Sequence, residues 1–137
     1  MKEEDYTAWE AFGTVKKLTV GYQGENFINV EVRDKAGNVA FTYQSIVFDT
    51  VLPSISILLN GGSEYTNSRN ILVALSASDT NSGLYQMRFA INSLNEERFS
   101  AWEDFSETKQ LTLPNWQGDN YVNVWANDKA LNANFAW

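Results

Sequence analysis

The chain has 137 residues, 44% of them hydrophobic and 14% aromatic, a composition typical of a packed globular protein and not of a disordered one. It contains no cysteine and no histidine, which excludes disulfides, thiolate or imidazole catalysis, and zinc or copper sites built on those ligands. Ten basic and seventeen acidic residues give a net charge of −7 without a basic stripe, so nucleic acid is not expected as a partner.

Alternating hydrophobic residues predict strands from the first part of the chain onward. Leu18 and Val20 share one face of a strand, and Ile28, Val30 and Val32 share one face of another. We expect this part of the chain, up to Asp49, to supply the last four strands of a larger unit.

A short, stiff connector follows in the phrase DTVLPSISI. Pro53 fixes its own φ and restricts Leu52 to extended geometry. We place the domain boundary between Asp49 and Thr50.

The rest of the chain predicts a second and fuller set of strands, separated by turns rich in Gly, Asn, Asp and Ser. The residues expected to share a face within each strand are, in chain order, Ile55, Ile57 and Leu59; Ile71, Val73, Leu75 and Ala77; Tyr85, Met87, Phe89 and Ile91; Leu111 and Leu113; and Val122, Val124 and Ala126. The longest aliphatic run, ILVAL, is far too short for a membrane span, so membrane insertion is not expected.

The two parts of the chain are copies of one repeat. Residues 6–22 align with residues 99–115 and, after the inserted Trp116, residues 23–43 align with residues 117–137, with 17 of 38 positions identical. The period of 93 to 94 residues suits an immunoglobulin-like β-sandwich and exceeds the roughly 20 to 50 residues of a solenoid unit. The prediction is an all-β chain with the C-terminal half of one such repeat in residues 1–49. Residues 50–137 then form a near-complete repeat that lacks the end of its last strand.

One hairpin turn differs between the copies. In RDKAGN, Asp34 opens the turn and Gly37 takes the left-handed backbone region. Leu131 replaces that glycine in the second copy, where a leucine would be strained. We therefore expect either that Asn132 takes the left-handed position or that this turn has a different shape.

Longer phrases carry a family resemblance. They are FDTVLPSISI, YTNSRNILVALSASDTNSGLYQMRF, FSAWEDF and GDNYVNVWANDKA. Together they resemble the tandem immunoglobulin-like (fibronectin-III-like) repeats of large bacterial and archaeal surface or secreted proteins, with departures at Leu131, Asn127 and the VLP of the linker. The resemblance implies extracellular spacer domains that stand beside catalytic, binding or adhesive domains, and it implies no particular ligand.

Acidic and amide side chains are expected to meet where the linker enters the second unit. In an immunoglobulin-like sandwich, the loop after the second strand and the last hairpin lie at that end. Asp49 lies in the linker, Asp79 and Asn81 lie in that loop, and Asp128 lies in the hairpin. Their oxygens would suit Ca²⁺, which takes six to eight oxygen ligands. The alternative is that they only form turns by bonding their own backbone.

Aromatic residues supply a second candidate site. Trp9 and Trp102 occupy equivalent positions in the repeated AWE motif and are expected to be framework residues, whereas the other three tryptophans occur only in the second copy. Tyr121 and Trp125 should point outward by alternation, which makes them the candidates for stacking on a sugar. The alternative is that Trp125 contacts a neighbouring domain or covers the sheet.

Catalysis is not expected. A glycosidase needs a pair of carboxylates, and candidates exist in Glu96, Glu97, Glu103, Asp104 and Glu107. A small sandwich seldom has a cleft for such a pair, however, and the sequence has no nucleophile elbow, phosphate loop or metal-ligand spacing.

The sequence thus favours a non-catalytic spacer module of an extracellular or cell-surface protein, whose partners are neighbouring repeats of the same polypeptide. The alternative is a carbohydrate- or receptor-binding (adhesin) module that uses exposed aromatic residues toward a glycan or a host-surface protein. No signal-peptide-like stretch opens the sequence, so export implies that the chain is an internal piece of a longer protein.

Overall fold

The computed structural model describes residues 6–137, whose regular structure is β-strand apart from two single-turn 3₁₀ helices, Asn60–Gly62 and Glu96–Arg98. No helix in this described part is long and apolar enough to cross a membrane. The strands are β1 (Gly24–Arg33), β2 (Val39–Phe48), β3 (Ser54–Leu59), β4 (Asn70–Ser78), β5 (Leu84–Ile91), β6 (Glu103–Asp104), β7 (Thr108–Thr112), β8 (Val122–Asp128) and β9 (Ala133–Ala136).

The strands form three antiparallel sheets. β1 and β2 pair with each other in a two-stranded hairpin. The other seven strands form a three-stranded sheet of order β3-β4-β7 and a four-stranded sheet of order β6-β5-β8-β9. The prediction of an all-β fold is confirmed.

One hydrophobic core lies between the three-stranded and the four-stranded sheet. Its buried members come from β4, β5 and β8 and are Ile71, Val73, Leu75, Met87, Phe89, Val122 and Val124. Partly buried residues of the neighbouring strands and loops close it, namely Ile55, Ile57, Leu59, Phe105, Leu111 and Leu113. These are the faces that the period-two alternation predicted, so the two sheets form a β-sandwich.

Tyr85 is an exception to the predicted alternation. β5 bulges against β8, where Leu84 pairs with Asp128 and Gln86 pairs with Asn127, so Tyr85 has no partner of its own. Its side chain is 44% exposed and does not share the buried face of Met87. The buried Asn127 accepts a hydrogen bond from the Gln86 N–H through Oδ1 at 2.8 Å, which satisfies a backbone donor at the bulge.

In the β1–β2 hairpin, the face of β1 that corresponds to the buried face of β8 is exposed. Val30 and Val32 are 45% and 44% exposed, whereas their counterparts Val124 and Ala126 are each 0% exposed. The difference arises because β8 faces the three-stranded sheet, and no second sheet covers β1 within residues 6–137.

The predicted strand at Leu18 and Val20 is wrong, and so is the prediction of four strands before Asp49. Residues 6–23 form no strand, and Leu18 is 55% exposed. The counterpart of Leu18 is Leu111, on β7, a strand that exists because it pairs with β4. A strand needs a ladder partner to satisfy its backbone groups, and residues 6–23 have no counterpart of β4 beside them.

The two copies of the hairpin turn have the same geometry, so both alternatives expected for the Leu131 turn are wrong. Leu131 itself takes a left-handed φ of 69°, close to the 91° of Gly37. Each turn closes with a backbone hydrogen bond to the carbonyl of its opening aspartate, from Gly37 N to Asp34 and from Leu131 N to Asp128, both at 3.1 Å. The hydrogen bonds common to both turns therefore outweigh the cost of the left-handed backbone conformation at Leu131.

Leu131→Gly is expected to raise the free energy of unfolding by about 0.5–1 kcal/mol, because it removes left-handed strain at a side chain that is 68% exposed. Urea denaturation measures the change. Ala130→Gly is the matched control, since it adds the same chain flexibility where no positive φ needs relief, and it should lower stability. A Leu131→Gly protein less stable than the wild type would contradict the assignment of strain.

Candidate functional site

Three acidic side chains from distant parts of the sequence meet where the linker enters the sandwich. Asp49 is the first residue of the linker, Asp79 follows β4 and Asp128 ends β8. One oxygen atom of each lies within 4.8 Å of the others. Asp128 is 0% exposed, Asp49 is 7% exposed and Asp79 is half-buried. The sequence predicted this convergence from the end of the sandwich at which the linker, the loop and the hairpin should meet.

Local turns hold two of the three carboxylates in place. Asp79 Oδ1 accepts hydrogen bonds from the N–H groups of Asn81 at 3.2 Å and Gly83 at 2.7 Å. Asp128 accepts from Asn132 twice, through Oδ1 from the backbone N–H at 2.9 Å and through Oδ2 from the side-chain amide at 2.8 Å. Both are turn-forming arrangements of the kind that Asp adopts readily.

Asp49 is held by residues of the sandwich. Its Oδ1 accepts from the Val51 N–H at 2.9 Å and from Asn81 Nδ2 at 3.2 Å, and its Oδ2 accepts from the Ser82 N–H at 3.0 Å. Asn81, predicted as a ligand, therefore contributes its amide nitrogen as a donor that orients Asp49.

These donors stabilise the ionised form of Asp49. Ser82 has the largest effect and the Val51 N–H the next, and together with smaller contributions they lower the pKa of Asp49 from 3.8 to about 2. The Ser82 Oγ makes no hydrogen bond within residues 6–137, so the bond from Ser82 to Asp49 is the one from its backbone N–H. Because the folded-state pKa is lowered, the resulting stabilisation is present above pH 3.8 and is lost as the pH falls through about 2.

The cluster has negative charge, and no basic side chain of residues 6–137 forms an ion pair with it. Within residues 6–137, no Lys or Arg nitrogen lies within 4.0 Å of the carboxylates of Asp49, Asp79 or Asp128. Asp79 Oδ2 is fully enclosed and accepts no hydrogen bond from this part of the chain. A buried carboxylate oxygen without a partner is costly, and carboxylate oxygens are ligands that hard cations take. Asp49, Asp79 and Asp128 are therefore the residues that could hold a cation such as Ca²⁺.

The two predicted sugar-stacking residues lie in different surroundings. Trp125 is half-buried, with its ring stacked on Phe135 at 5.8 Å and in an edge contact with Phe99 at 6.3 Å between centroids. Tyr121 is 58% exposed and lines an open groove at the other end of β8. The structure does not bring the two rings together.

Arg88 of β5 is the residue against which Trp102 packs. Its guanidinium lies 4.6 Å from the ring of Trp102, 5.1 Å from Phe99 and 5.3 Å from Trp125, with Glu96 at 3.6 Å. The outer face of the four-stranded sheet is thus covered by aromatic rings around one cation. Sequence reasoning did not select Arg88. Its position on β5, the strand that pairs with β8, is the feature that could have indicated a contact with Trp125.

In the first copy, the equivalent tryptophan packs differently. Trp9 lies against the guanidinium of Arg33, 4.3 Å from the ring centroid, and it remains 51% exposed. Residues 6–137 contain no counterpart of β5 beside it, so the Trp9 ring uses an arginine of β1 in place of one from a neighbouring strand.

The groove beside Tyr121 has a volume of about 500 Å³. Its walls include three exposed aromatic residues, Trp116, Tyr121 and Trp137, together with Asn92, Asp119 and Asn123. Sequence reasoning did not select Trp116 or Trp137, although their absence from the first copy was visible in the alignment.

Two of the five loop carboxylates that were considered for catalysis are ion-paired. Glu103 bonds Lys109 Nζ at 2.6 Å, and Glu96 lies 3.6 Å from Arg88. Both therefore have local structural partners.

In comparisons with known proteins, the chain matches no family model and no curated protein sequence. Its function is therefore inferred from its own residues.

Proposed function

We propose that the chain is a non-catalytic, immunoglobulin-like spacer module of an extracellular or cell-surface protein built from tandem repeats. Its task is mechanical: it holds neighbouring domains at a fixed distance and direction. The internal repeat supports this proposal, as do the three-plus-four strand sandwich and the motifs that resemble tandem surface repeats.

The observation that carries the proposal is the bonding of the linker on both sides. From the hairpin side, Gln23 bonds Thr50 twice, with Nε2 donating to Oγ1 at 2.6 Å and Oε1 accepting from the N–H at 3.1 Å. From the sandwich side, Asn132 Nδ2 donates to the Asp49 carbonyl at 3.1 Å, and Asn134 Nδ2 donates to the Pro53 carbonyl at 2.9 Å. A linker tied in this way transmits orientation from one unit to the next, which a flexible tether does not.

The test is the mobility of the hairpin relative to the sandwich. Backbone ¹⁵N relaxation of the wild-type chain should give order parameters of about 0.85 in β1 and β2 as well as in β4 and β8. Asp49→Ala removes the acceptor for Val51, Asn81 and Ser82, and it should lower the order parameters of the hairpin.

Asp104→Ala is the control for that measurement, because Asp104 is an exposed aspartate of β6 that makes none of the linker bonds. It should leave the hairpin unchanged. Order parameters below about 0.6 throughout the wild-type hairpin would reject a stiff spacer.

As part of the same proposal, Ca²⁺ bound by Asp49, Asp79 and Asp128 joins the linker, the β4–β5 loop and the last hairpin. An ion with oxygen ligands from three segments would neutralise their mutual repulsion and strengthen the junction. The enclosed Asp79 Oδ2, which accepts no hydrogen bond from residues 6–137, is the observation that supports it.

Added Ca²⁺ is expected to raise the melting temperature, and EDTA to lower it, with a stabilisation of about 2.7 kcal/mol at a hundredfold excess over Kd. Asp79→Asn should abolish this response while retaining the fold, since Oδ1 still accepts from Asn81 and Gly83 and Oδ2 makes no bond to lose. In EDTA the variant should be at least as stable as the wild type, because one of three converging charges is gone. A melting temperature that is indifferent to Ca²⁺ would refute the site.

A further inference from the structure

The loop between β4 and β5 contains a serine whose hydroxyl group is enclosed. Ser82 Oγ is shielded from solvent and makes no hydrogen bond within residues 6–137. Burying a hydroxyl in this way costs free energy unless another group bonds to it. A partner that the chain itself does not supply would remove this cost.

Backbone hydrogen bonds place Ser82 beside two carboxylates of the acidic cluster. Its own N–H donates to Asp49 Oδ2 at 3.0 Å. The residues on either side of it, Asn81 and Gly83, both donate their N–H groups to Asp79 Oδ1, at 3.2 and 2.7 Å. The Ser82 side chain therefore extends from a stretch of backbone that is bonded to both Asp49 and Asp79.

A second oxygen of the same loop is enclosed in the same way. Asp79 Oδ2 accepts no hydrogen bond from residues 6–137, because the N–H groups of the loop bond to Oδ1. A hydroxyl and a carboxylate are able to bond to each other, but Ser82 Oγ and Asp79 Oδ2 do not. Both oxygens are therefore free to bind a hard cation, which takes oxygen ligands.

The spacing of the carboxylates leaves room for a further ligand. One oxygen of each of Asp49, Asp79 and Asp128 lies within 4.8 Å of the others, about twice a Ca–O distance of roughly 2.4 Å. Carboxylates that bind through one oxygen each leave positions open among the about six to eight of Ca²⁺. We propose that Ser82 Oγ is a further ligand of this ion. The inference rests on the cation site of the proposed function and adds a ligand to it.

A neutral ligand suits the charge of the site. The three carboxylates already exceed the charge of one divalent ion, and no basic side chain of residues 6–137 forms an ion pair with them. Another carboxylate would add repulsion, whereas a hydroxyl oxygen adds a bond to the ion without adding charge. Hydroxyl groups of Ser and Thr bind Mg²⁺ in this neutral way in phosphate-binding loops.

Ser82 would then join the linker to the β4–β5 loop through two different atoms. Its N–H bonds to Asp49 whether or not an ion is bound. Its hydroxyl contributes only when the ion is present, because the hydroxyl makes no other bond within residues 6–137. The two contributions can therefore be separated by removing the hydroxyl and by removing the ion.

Isothermal titration calorimetry of the full chain with Ca²⁺ tests the inference. Ser82→Ala should weaken Ca²⁺ binding about tenfold, a smaller loss than for Asp79→Asn, because water can replace a neutral ligand. In EDTA, the melting temperature of Ser82→Ala should be no lower than that of the wild type, since no hydrogen bond of the hydroxyl is lost. Thr80→Ala is the matched control: it removes an exposed hydroxyl from the same loop and should leave the affinity unchanged.

Ser82→Cys distinguishes a ligand from a mere neighbour of the ion. Sulfur prefers soft cations, so this variant should bind Ca²⁺ more weakly and Cd²⁺ about tenfold or more tightly than the wild type, with a thiolate-to-metal absorption band in the ultraviolet. The natural chain has no cysteine, so the band reports on this position alone. Adding Asp79→Asn should abolish the gain in Cd²⁺ affinity, but it should not affect Cd²⁺ binding by the control Thr80→Cys.

Two failures are distinguishable. A wild-type chain that does not bind Ca²⁺ would overturn both the cation site and the role of Ser82. Binding that Asp79→Asn abolishes and Ser82→Ala leaves unchanged would overturn the role of Ser82 alone, with a buried water as the partner of its hydroxyl. Equal destabilisation of Ser82→Ala in EDTA and in Ca²⁺ would also overturn that role, since the hydroxyl would then be a structural donor.

Discussion

Val124→Ala is expected to lower the free energy of unfolding by about 2 kcal/mol, whereas Val30→Ala should change it by less than about 0.5 kcal/mol. The two valines occupy the same position of the repeat, but Val124 is 0% exposed and Val30 is 45% exposed. Truncating Val124 opens a cavity between two sheets, and truncating Val30 removes a side chain that already contacts water. Urea denaturation followed by tryptophan fluorescence measures both changes.

The pair is informative because the two valines occupy equivalent positions in equivalent strands, and their strand partners are equivalent positions too. Val30 pairs with Thr42 across β1 and β2, and Val124 pairs with Ala136 across β8 and β9. If both substitutions cost about 2 kcal/mol, the Val30 face of the hairpin must be covered in solution.

Asp128→Ala is expected to destabilise the sandwich by about 2–4 kcal/mol. Asp128 is 0% exposed, and its two oxygens accept from the backbone and side-chain nitrogens of Asn132. Removing the carboxylate leaves the Asn132 backbone N–H without its acceptor and reduces the Nδ2 amide to its bond with the Asp49 carbonyl. Chemical denaturation in the presence of Ca²⁺ measures the full effect.

The control for Asp128 is provided by the first copy. Asp34 makes the same two bonds to Asn38, at 2.9 and 2.7 Å, but in an exposed turn where water replaces a lost acceptor. Asp34→Ala should therefore leave sandwich stability unchanged within error. If Asp128→Ala also left the free energy of unfolding unchanged, burial of the Asp128 carboxylate would not contribute to stability, and the expectation would be wrong.

The sandwich strands and the acidic cluster were both predictable from sequence, for different reasons. Alternation at Val122, Val124 and Ala126 reports directly on which face is buried, because the side-chain period of a strand is two. Asp49, Asp79 and Asp128 were located through the end of the fold at which their segments should lie, and the structure brings their oxygens together.

Other features depended on contacts that no local pattern reports. The pattern around Leu18 predicts a strand in either copy, but the strand forms only at Leu111, where β4 supplies a ladder partner. Trp125 points outward as alternation requires, yet Phe99, Phe135 and Arg88 surround it. Leu131 adopts the conformation of a glycine because the bonds between Asp128 and Asn132 fix the turn around it.

The sequence by itself determined that the chain is all-β, that it repeats, and which side of each sandwich strand turns inward, since hydrophobic periodicity and turn chemistry act over a few neighbouring residues. Only the tertiary structure decided which strands exist in the first copy, which aromatic rings remain open and how the linker is bonded. Those outcomes depend on contacts between residues that are far apart in the chain. A strand needs its neighbouring strand, an aromatic ring needs the side chain that covers it, and a buried carboxylate needs its hydrogen-bond donors, and folding alone brings them together.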